Sequence, residues 1–184
     1  TFENPISLQY LNSSNPEFQF ANVDQGTIGG IELELRKTLG FIAPAFDKFK
    51  ISTNLTLITS TMDVIEQSGL EPESRPFEGQ SPLLANLSLG YLNPDSKWDI
   101  QVSYNYTGER LAVVGLNSPD IYERGLSTLD AVISKKLGNV SLKFAANNLL
   151  NPNYTTSSEY LGQEYLTRQY KKGTSFVLSV AYEL

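Results

Sequence analysis

The chain has no cysteine, no histidine, one methionine and one tryptophan in 184 residues. Without Cys or His there is no disulfide framework, zinc-finger ligand set, imidazole haem ligand, thiol nucleophile or His-based catalytic triad. Long apolar runs are also missing. The longest are short stretches such as Ile42-Ala43-Pro44-Ala45-Phe46, against the roughly 20 residues a membrane-spanning helix needs. Positive charge is scarce: 14 Lys and Arg stand against 20 Asp and Glu, a net charge of −6. That balance, with no basic stripe, argues against nucleic acid as a partner. Hydrophobic residues make up 40%, a little under the globular average but too many for disorder. The start, Thr1-Phe2-Glu3-Asn4-Pro5, has neither the basic beginning nor the apolar core of a signal peptide, and suggests a processed chain or a piece of a longer one.

What the sequence does have is a period of two. Trp98, Ile100, Val102, Tyr104 and Tyr106 alternate with Asp99, Gln101, Ser103, Asn105 and Thr107. Phe176, Leu178, Val180, Tyr182 and Leu184 share one face of the last segment. Leu83, Ala85, Leu87, Leu89 and Tyr91 alternate with more polar neighbours, and Val140, Leu142 and Phe144 oppose Ser141 and Lys143. Ile31, Leu33 and Leu35 oppose Glu32, Glu34 and Arg36, while Leu129 and Ala131 oppose Asp130. This alternation is the signature of strands with one apolar face. It predicts about eight strands, over 5–11, 26–40, 46–60, 81–93, 97–110, 125–137, 139–149 and 174–184. No amphipathic helix of useful length is present.

The connections alternate in length. Tight turns are expected at 41–45, 93–96 and 137–139, and long polar connections at 12–26, 62–80, 111–124 and 150–173. All the long connections then emerge at one end of an antiparallel sheet. A soluble sandwich would turn its apolar face inward; a membrane barrel turns it to lipid and lines its interior with the polar face. Three observations favour the barrel. Several strands span 10–14 residues, against the roughly 9–11 a tilted membrane strand needs and about 5–6 in globular proteins. The polar face is rich in Ser, Asn, Thr and Gln. Aromatics gather near the two strand ends: Phe41, Phe46, Tyr91, Trp98 and Tyr182 at the tight-turn end, Tyr104, Tyr106 and Phe176 at the other. Trp98 to Tyr106 spans roughly 26 Å of strand at about 3.3 Å per residue. With a tilt of about 40° that is roughly 20 Å of height, close to the apolar band of about 25 Å. Lys37 falls on the apolar face, near enough to the tight-turn end to snorkel. Because every backbone group in a bilayer must be paired, the sheet must close. Eight strands can close alone or form the last part of a larger wall; periodicity leaves both open, and the missing leader favours the larger wall.

At this point the residues resemble a known family, the C-terminal region of TonB-dependent outer-membrane receptors, especially the Bacteroidetes type. The matching pieces are Gly29-Gly30-Ile31-Glu32-Leu33-Glu34-Leu35-Arg36, Gly79-Gln80-Ser81-Pro82-Leu83-Leu84-Ala85-Asn86, Tyr104-Asn105-Tyr106-Thr107-Gly108-Glu109-Arg110, Pro119-Asp120-Ile121-Tyr122-Glu123 and Asn147-Asn148-Leu149-Leu150-Asn151. They occur in the family's order, followed by Gly173 and the terminal strand. The resemblance implies an all-β antiparallel transmembrane barrel of 22 strands. Residues 1–184 would be about its last third, with the plug domain and N-terminal strands elsewhere. It implies a bacterial outer-membrane location and a receptor that imports a large scarce solute: a siderophore, a cofactor or a glycan. It also implies partners: outer-membrane lipid, the plug, TonB and a surface lipoprotein. The terminal strand with Phe176, Leu178, Val180, Tyr182 and Leu184 resembles the barrel-assembly signal, with Leu184 where the family commonly has Phe.

On this reading Glu32, Glu34, Arg36, Asp99, Gln101, Asn105, Asp130 and Lys143 face the lumen. Tyr91, Trp98, Tyr104, Tyr106, Phe176 and Tyr182 form the lipid-facing girdles. The charges are expected to neutralise one another along the lumen. Tyr154, Tyr160, Tyr165 and Tyr170 in the 150–173 connection either stack on a sugar or aromatic siderophore or pack strands beyond the membrane. Asp63, Glu66, Glu71, Glu73 and Glu78 make the 62–80 connection acidic, without the spacing of a calcium loop. No catalytic residue, metal site or cofactor is expected. The rival readings are a receptor-like scaffold subunit of an outer-membrane assembly and a self-contained eight-stranded barrel.

Overall fold

The computed structural model describes residues 1–11, 14–23, 25–64 and 73–183. The elements are β1 (Phe2–Glu3), β2 (Ile6–Leu11), β3 (Glu17–Asn22), β4 (Gln25–Thr38), β5 (Phe49–Val64), β6 (Glu73–Arg75), β7 (Leu83–Asn93), β8 (Trp98–Thr107), β9 (Arg110–Leu116), β10 (Ile121–Glu123), β11 (Leu126–Leu137), β12 (Val140–Asn147), β13 (Asn153–Tyr160), β14 (Gln163–Lys171) and β15 (Ser175–Tyr182). Two short 3-10 turns, Leu39–Phe41 and Pro44–Phe46, lie between β4 and β5.

The strands form two sheets. The first, the wall, runs β1-β4-β5-β7-β8-β11-β12-β15, with β6 added to β5. Each long neighbour is antiparallel. Pairing of β4 with β5 runs without a slip from Gly26↔Met62 to Thr38↔Lys50. A one-residue slip would turn every apolar side chain to the wrong face. β15 and β4 do not pair with each other. The wall is therefore an open segment of a barrel and not a closed eight-stranded one.

The second sheet, here the head, runs β14-β13-β10-β9-β2-β3. Its first four strands are continuations of wall strands. β8 leads into β9, β10 into β11, β12 into β13, and β14 into β15. The order β8-β11-β12-β15 in the wall is repeated as β9-β10-β13-β14 in the head. Four kinks separate the two: 108–109, 124–125, 148–152 and 172–174. Gly108, Gly125 and Gly173 sit in three of them, and Gly173 has φ +84°. The fourth contains Asn148 and Asn151, both at positive φ, where asparagine is among the few side chains tolerated.

Two expectations are corrected here. Residues 5–11 do not form a wall strand. β2 pairs antiparallel with β3 and parallel with β9 in the head. The reason lies in its faces: Ser7 and Gln9 are buried, and the Ser7 hydroxyl donates to Glu78 at 2.5 Å, while Leu8 and Tyr10 lie opposite Phe20 and Phe18. The 12–26, 62–80, 111–124 and 150–173 connections are not simple loops, because they contain β3, β6, β9, β10, β13 and β14. A compact core also exists where wall meets head: Val23, Met62, Val64, Leu111, Val114 and Leu116. Met62 and Val64 continue the row of Asn54, Thr56 and Ser60 along β5. The head therefore packs on the polar face of the wall, which turns apolar where the head covers it.

Candidate functional site

Strand register brings the polar residues together. Glu32 is level with Thr56 and Glu34 with Asn54; Asn54 is level with Asn86, Asn86 with Asn105 and Asn105 with Thr128. One row of side chains thus crosses five strands on one face. Gln101, Asp99, Asp130 and Lys143 lie on that same face, with Ser134 level with both Asp99 and Lys143. Asn54 donates to Glu32, Gln101 to Ser88 at 3.0 Å and Ser103 at 3.2 Å, and Asn105 to Thr128 at 3.3 Å. Arg36 pairs with Glu34 at 2.5 Å. Asp130 accepts the Asn148 backbone N–H at 2.8 Å, so this carboxylate anchors a kink. The side chains of Asp99 and Lys143 have no ion pair or hydrogen bond with any described residue.

The opposite face is apolar and open. Leu33 is 61% exposed, Leu178 71% and Val180 65%. A band of this kind calls for a covering phase other than water. At the tight-turn end, Phe49 packs on Tyr91 and Phe46. Lys135 lies over the Trp98 ring at 4.6 Å and donates to the Ser96 carbonyl. Lys37 lies over Phe41 at 5.8 Å, the long chain bending to the rim. Tyr182 is exposed beyond them, level with Val140. At the head end, Tyr104 shares a hydrogen bond of 2.8 Å with Ser127, Tyr106 lies level with Ala85, and Phe176 stacks on Phe144. Leu184 lies outside the described residues, as do Glu66 and Glu71.

The junction of wall and head is built by residues that the period-two pattern did not single out. Ser81 is buried and its hydroxyl reaches the carbonyls of Leu83 at 2.8 Å and Gly108 at 3.0 Å. Arg110 makes two bonds to Glu123, at 2.8 and 3.1 Å, and one to the Gly79 carbonyl at 3.2 Å. Arg75 pairs with Asp120 and Glu73, both at 2.7 Å. Burial would lower the Arg75 pKa, but Glu73 and Asp120 outweigh it and hold the guanidinium above its ordinary value. Asp120 also accepts the Gly115 N–H at 2.9 Å. Burial, and then Asp120, pushes the Tyr122 phenol up. Lower down, Asn148 donates to the Gly173 carbonyl at 2.7 Å and Asn151 accepts the Gly173 N–H at 3.1 Å. Four of the five sequence motifs therefore converge on this junction. Their side chains mostly satisfy kinked backbone and one another.

The four tyrosines of the 150–173 region lie on the β13–β14 hairpin and do not converge. Tyr154 and Tyr170 stack at 5.3 Å, with Lys172 over the former ring at 4.0 Å and Arg168 over the latter at 4.8 Å. Tyr160 and Tyr165 stand exposed near the tip.

An antiparallel wall, apolar on one face and polar on the other, with tight turns at one end and long strand extensions at the other, defines a segment of a membrane β-barrel. The chain belongs to the TonB-dependent receptor-like β-barrel family, whose model matches residues 1–149. Barrels of this family are outer-membrane receptors and transporters. Among solved structures, the copper transporter OprC is similar, with a TM-score of 0.65 and 18% identity over 98% of this chain and 27% of that one. This likeness supports the fold, and the chain spans little more than a quarter of that protein. No curated protein matches the sequence.

Proposed function

We propose that these 184 residues are the C-terminal portion of the barrel of a TonB-dependent outer-membrane receptor that imports a large scarce solute. The observation that carries this reading is the register, which sets a polar row from Glu34 to Thr128 across five strands of the wall, back to back with an apolar face, in a chain of this family. In this account the apolar face meets lipid. Glu32, Glu34, Arg36, Asp99, Gln101, Asn105, Asp130 and Lys143 line the lumen and meet the plug or the passing solute. The plug and the TonB-contacting segment come from the remainder of the receptor, and energy from TonB moves the plug. The wall does no chemistry on the solute, whether siderophore, cofactor or glycan. The copper of the similar transporter belongs to that protein, and the fold alone does not carry it here.

The test is whole-cell uptake by the full receptor in matched strains with and without the TonB system. The reading predicts accumulation that is lost without TonB. Accumulation that survives deletion contradicts it, and a stoichiometric complex with no uptake would favour the scaffold reading.

A further inference from the structure

The rim of the wall at the tight-turn end carries two lysines on the apolar face, and each lies over an aromatic ring. Lys135 lies over Trp98, and Lys37 over Phe41 four strands away along the wall. Neither makes an ion pair with any described residue.

The Lys135–Trp98 pair is the more firmly held. The two residues are level across β8 and β11. The ammonium stands 4.6 Å from the ring centroid, and one of its N–H groups donates to the Ser96 carbonyl at 2.5 Å. The side chain is thus in place before any guest arrives, which lowers the cost of binding one. Trp98 is 37% exposed, so a guest can reach the ring. The neighbouring acids leave the charge unanswered. Asp95 pairs with Lys48 at 3.4 Å, and Asp99, level with Ser134, lies on the polar face.

What remains on the pair is donor capacity alone. An ammonium has three N–H groups and an indole one, and neither group has an acceptor. The Trp98 indole N–H makes no hydrogen bond with any described residue. Beyond the pair, Ile133, Ala131 and Leu129 continue along the apolar face of β11, level with Ile100, Val102 and Tyr104 of β8. A guest that meets both parts has an anionic, acceptor-rich head and a long apolar tail. A zwitterionic head would bring its own cation beside Lys135, and a free phosphate would leave the apolar column bare.

We propose that Lys135 and Trp98 form a headgroup site for an anionic phospholipid in the leaflet at the tight-turn end. The phosphate accepts from the ammonium and the indole N–H, and an acyl chain runs along Ile133, Ala131 and Leu129. The proposal rests on the reading that the apolar face meets lipid, and adds to it a headgroup preference at one position.

The test uses the full receptor with Trp98 as its sole tryptophan, any others being replaced by phenylalanine. It is reconstituted in phosphatidylcholine bilayers doped with a brominated lipid, which quenches the fluorescence of an indole it touches. Brominated phosphatidylglycerol should occupy the site about fivefold more strongly than brominated phosphatidylcholine, the order of preference one lysine supplies near a charged lipid surface. Lys135→Ala should abolish the preference and keep the quenching by brominated phosphatidylcholine, which shows that the variant is folded and inserted. Lys135→Arg should keep the preference, and so should Lys37→Ala. Equal quenching by the two lipids overturns the proposal and leaves the lipid-facing reading intact, as does a preference that survives Lys135→Ala. Loss of the preference in Lys37→Ala as well would assign it to diffuse rim charge and overturn the site. Quenching by neither lipid removes the lipid-facing reading of this rim, and the site with it.

Discussion

Single residues at the kinks carry more of this fold than their exposure suggests. Asp130 lies on the polar face, yet its carboxylate is committed to the Asn148 backbone N–H. Asp130→Ala leaves that donor unpaired in a half-buried turn, a loss of about 1–3 kcal/mol, read as a lower midpoint of unfolding in mixed micelles. Asp130→Asn keeps an acceptor and should recover most of it. A midpoint unmoved by Asp130→Ala would mean that water replaces the carboxylate. Gly115, inside β9 and before the turn to β10, is a second sensitive position. A Cβ there would stand 2.2 Å from the Ser118 carbonyl oxygen and 2.6 Å from that of Pro119, whereas a Cβ at Gly29 meets nothing within 4 Å. Gly115→Ala should therefore increase proteolysis of the 115–120 segment, and Gly29→Ala should not. Tyr122 adds a pH dependence. Burial raises its pKa above the ordinary tyrosine value, so the folded state favours the neutral phenol. The resulting stability is whole below about pH 10, the unfolded value, and is lost as pH rises through the raised one. Tyr122→Phe should flatten the alkaline fall in the unfolding midpoint.

At the scale of strands, the wall was legible in the sequence and the head was not. Residues 97–107 read as a strand because Trp98, Ile100, Val102, Tyr104 and Tyr106 contrast sharply with their neighbours. In the proposed barrel, lipid on one side and a polar row on the other enforce that contrast. β13 reads Asn-Tyr-Thr-Thr-Ser-Ser-Glu-Tyr and has little contrast, because it belongs to the head, which in the proposed barrel stands beyond the lipid. It is held by β10 and β14, with Tyr154 stacked on Tyr170. β2 shows a different difficulty. Its alternation resembles that of a wall strand, but its polar side is the buried one. The polar row was legible as a list of residues. The junction pairs, such as Arg110 with Glu123, were not, because nothing in one sequence says which charges meet across a kink. Strand faces also give a direct prediction. Val102 lies midway between Trp98 and Tyr106 on the apolar face. Val102→Arg should cost about 2–4 kcal/mol, the range for an arginine facing mid-bilayer lipid, and reduce the folded, membrane-inserted fraction. Ser103→Arg, one residue along and on the polar face, should cost far less. Equal losses from both would contradict the facing.

For the whole molecule, the low hydrophobic content and the missing cysteine acquire a use. Among the described residues, the apolar half of the wall is left largely exposed, and the small core lies at the wall–head junction. The central claim is that the Leu87 and Val102 face meets lipid and the Asn86 and Ser103 face lines water. With no native cysteine in these 184 residues, single cysteines at these four positions can be spin-labelled in the receptor, after any cysteines elsewhere in it are replaced, and reconstituted in bilayers. The deciding measurement is the collision of each label with oxygen, which concentrates in lipid, and with a water-soluble nickel chelate. The account predicts that labels at 87 and 102 collide chiefly with oxygen and labels at 86 and 103 chiefly with the chelate. The reverse pattern, or no difference between the two pairs, would contradict it.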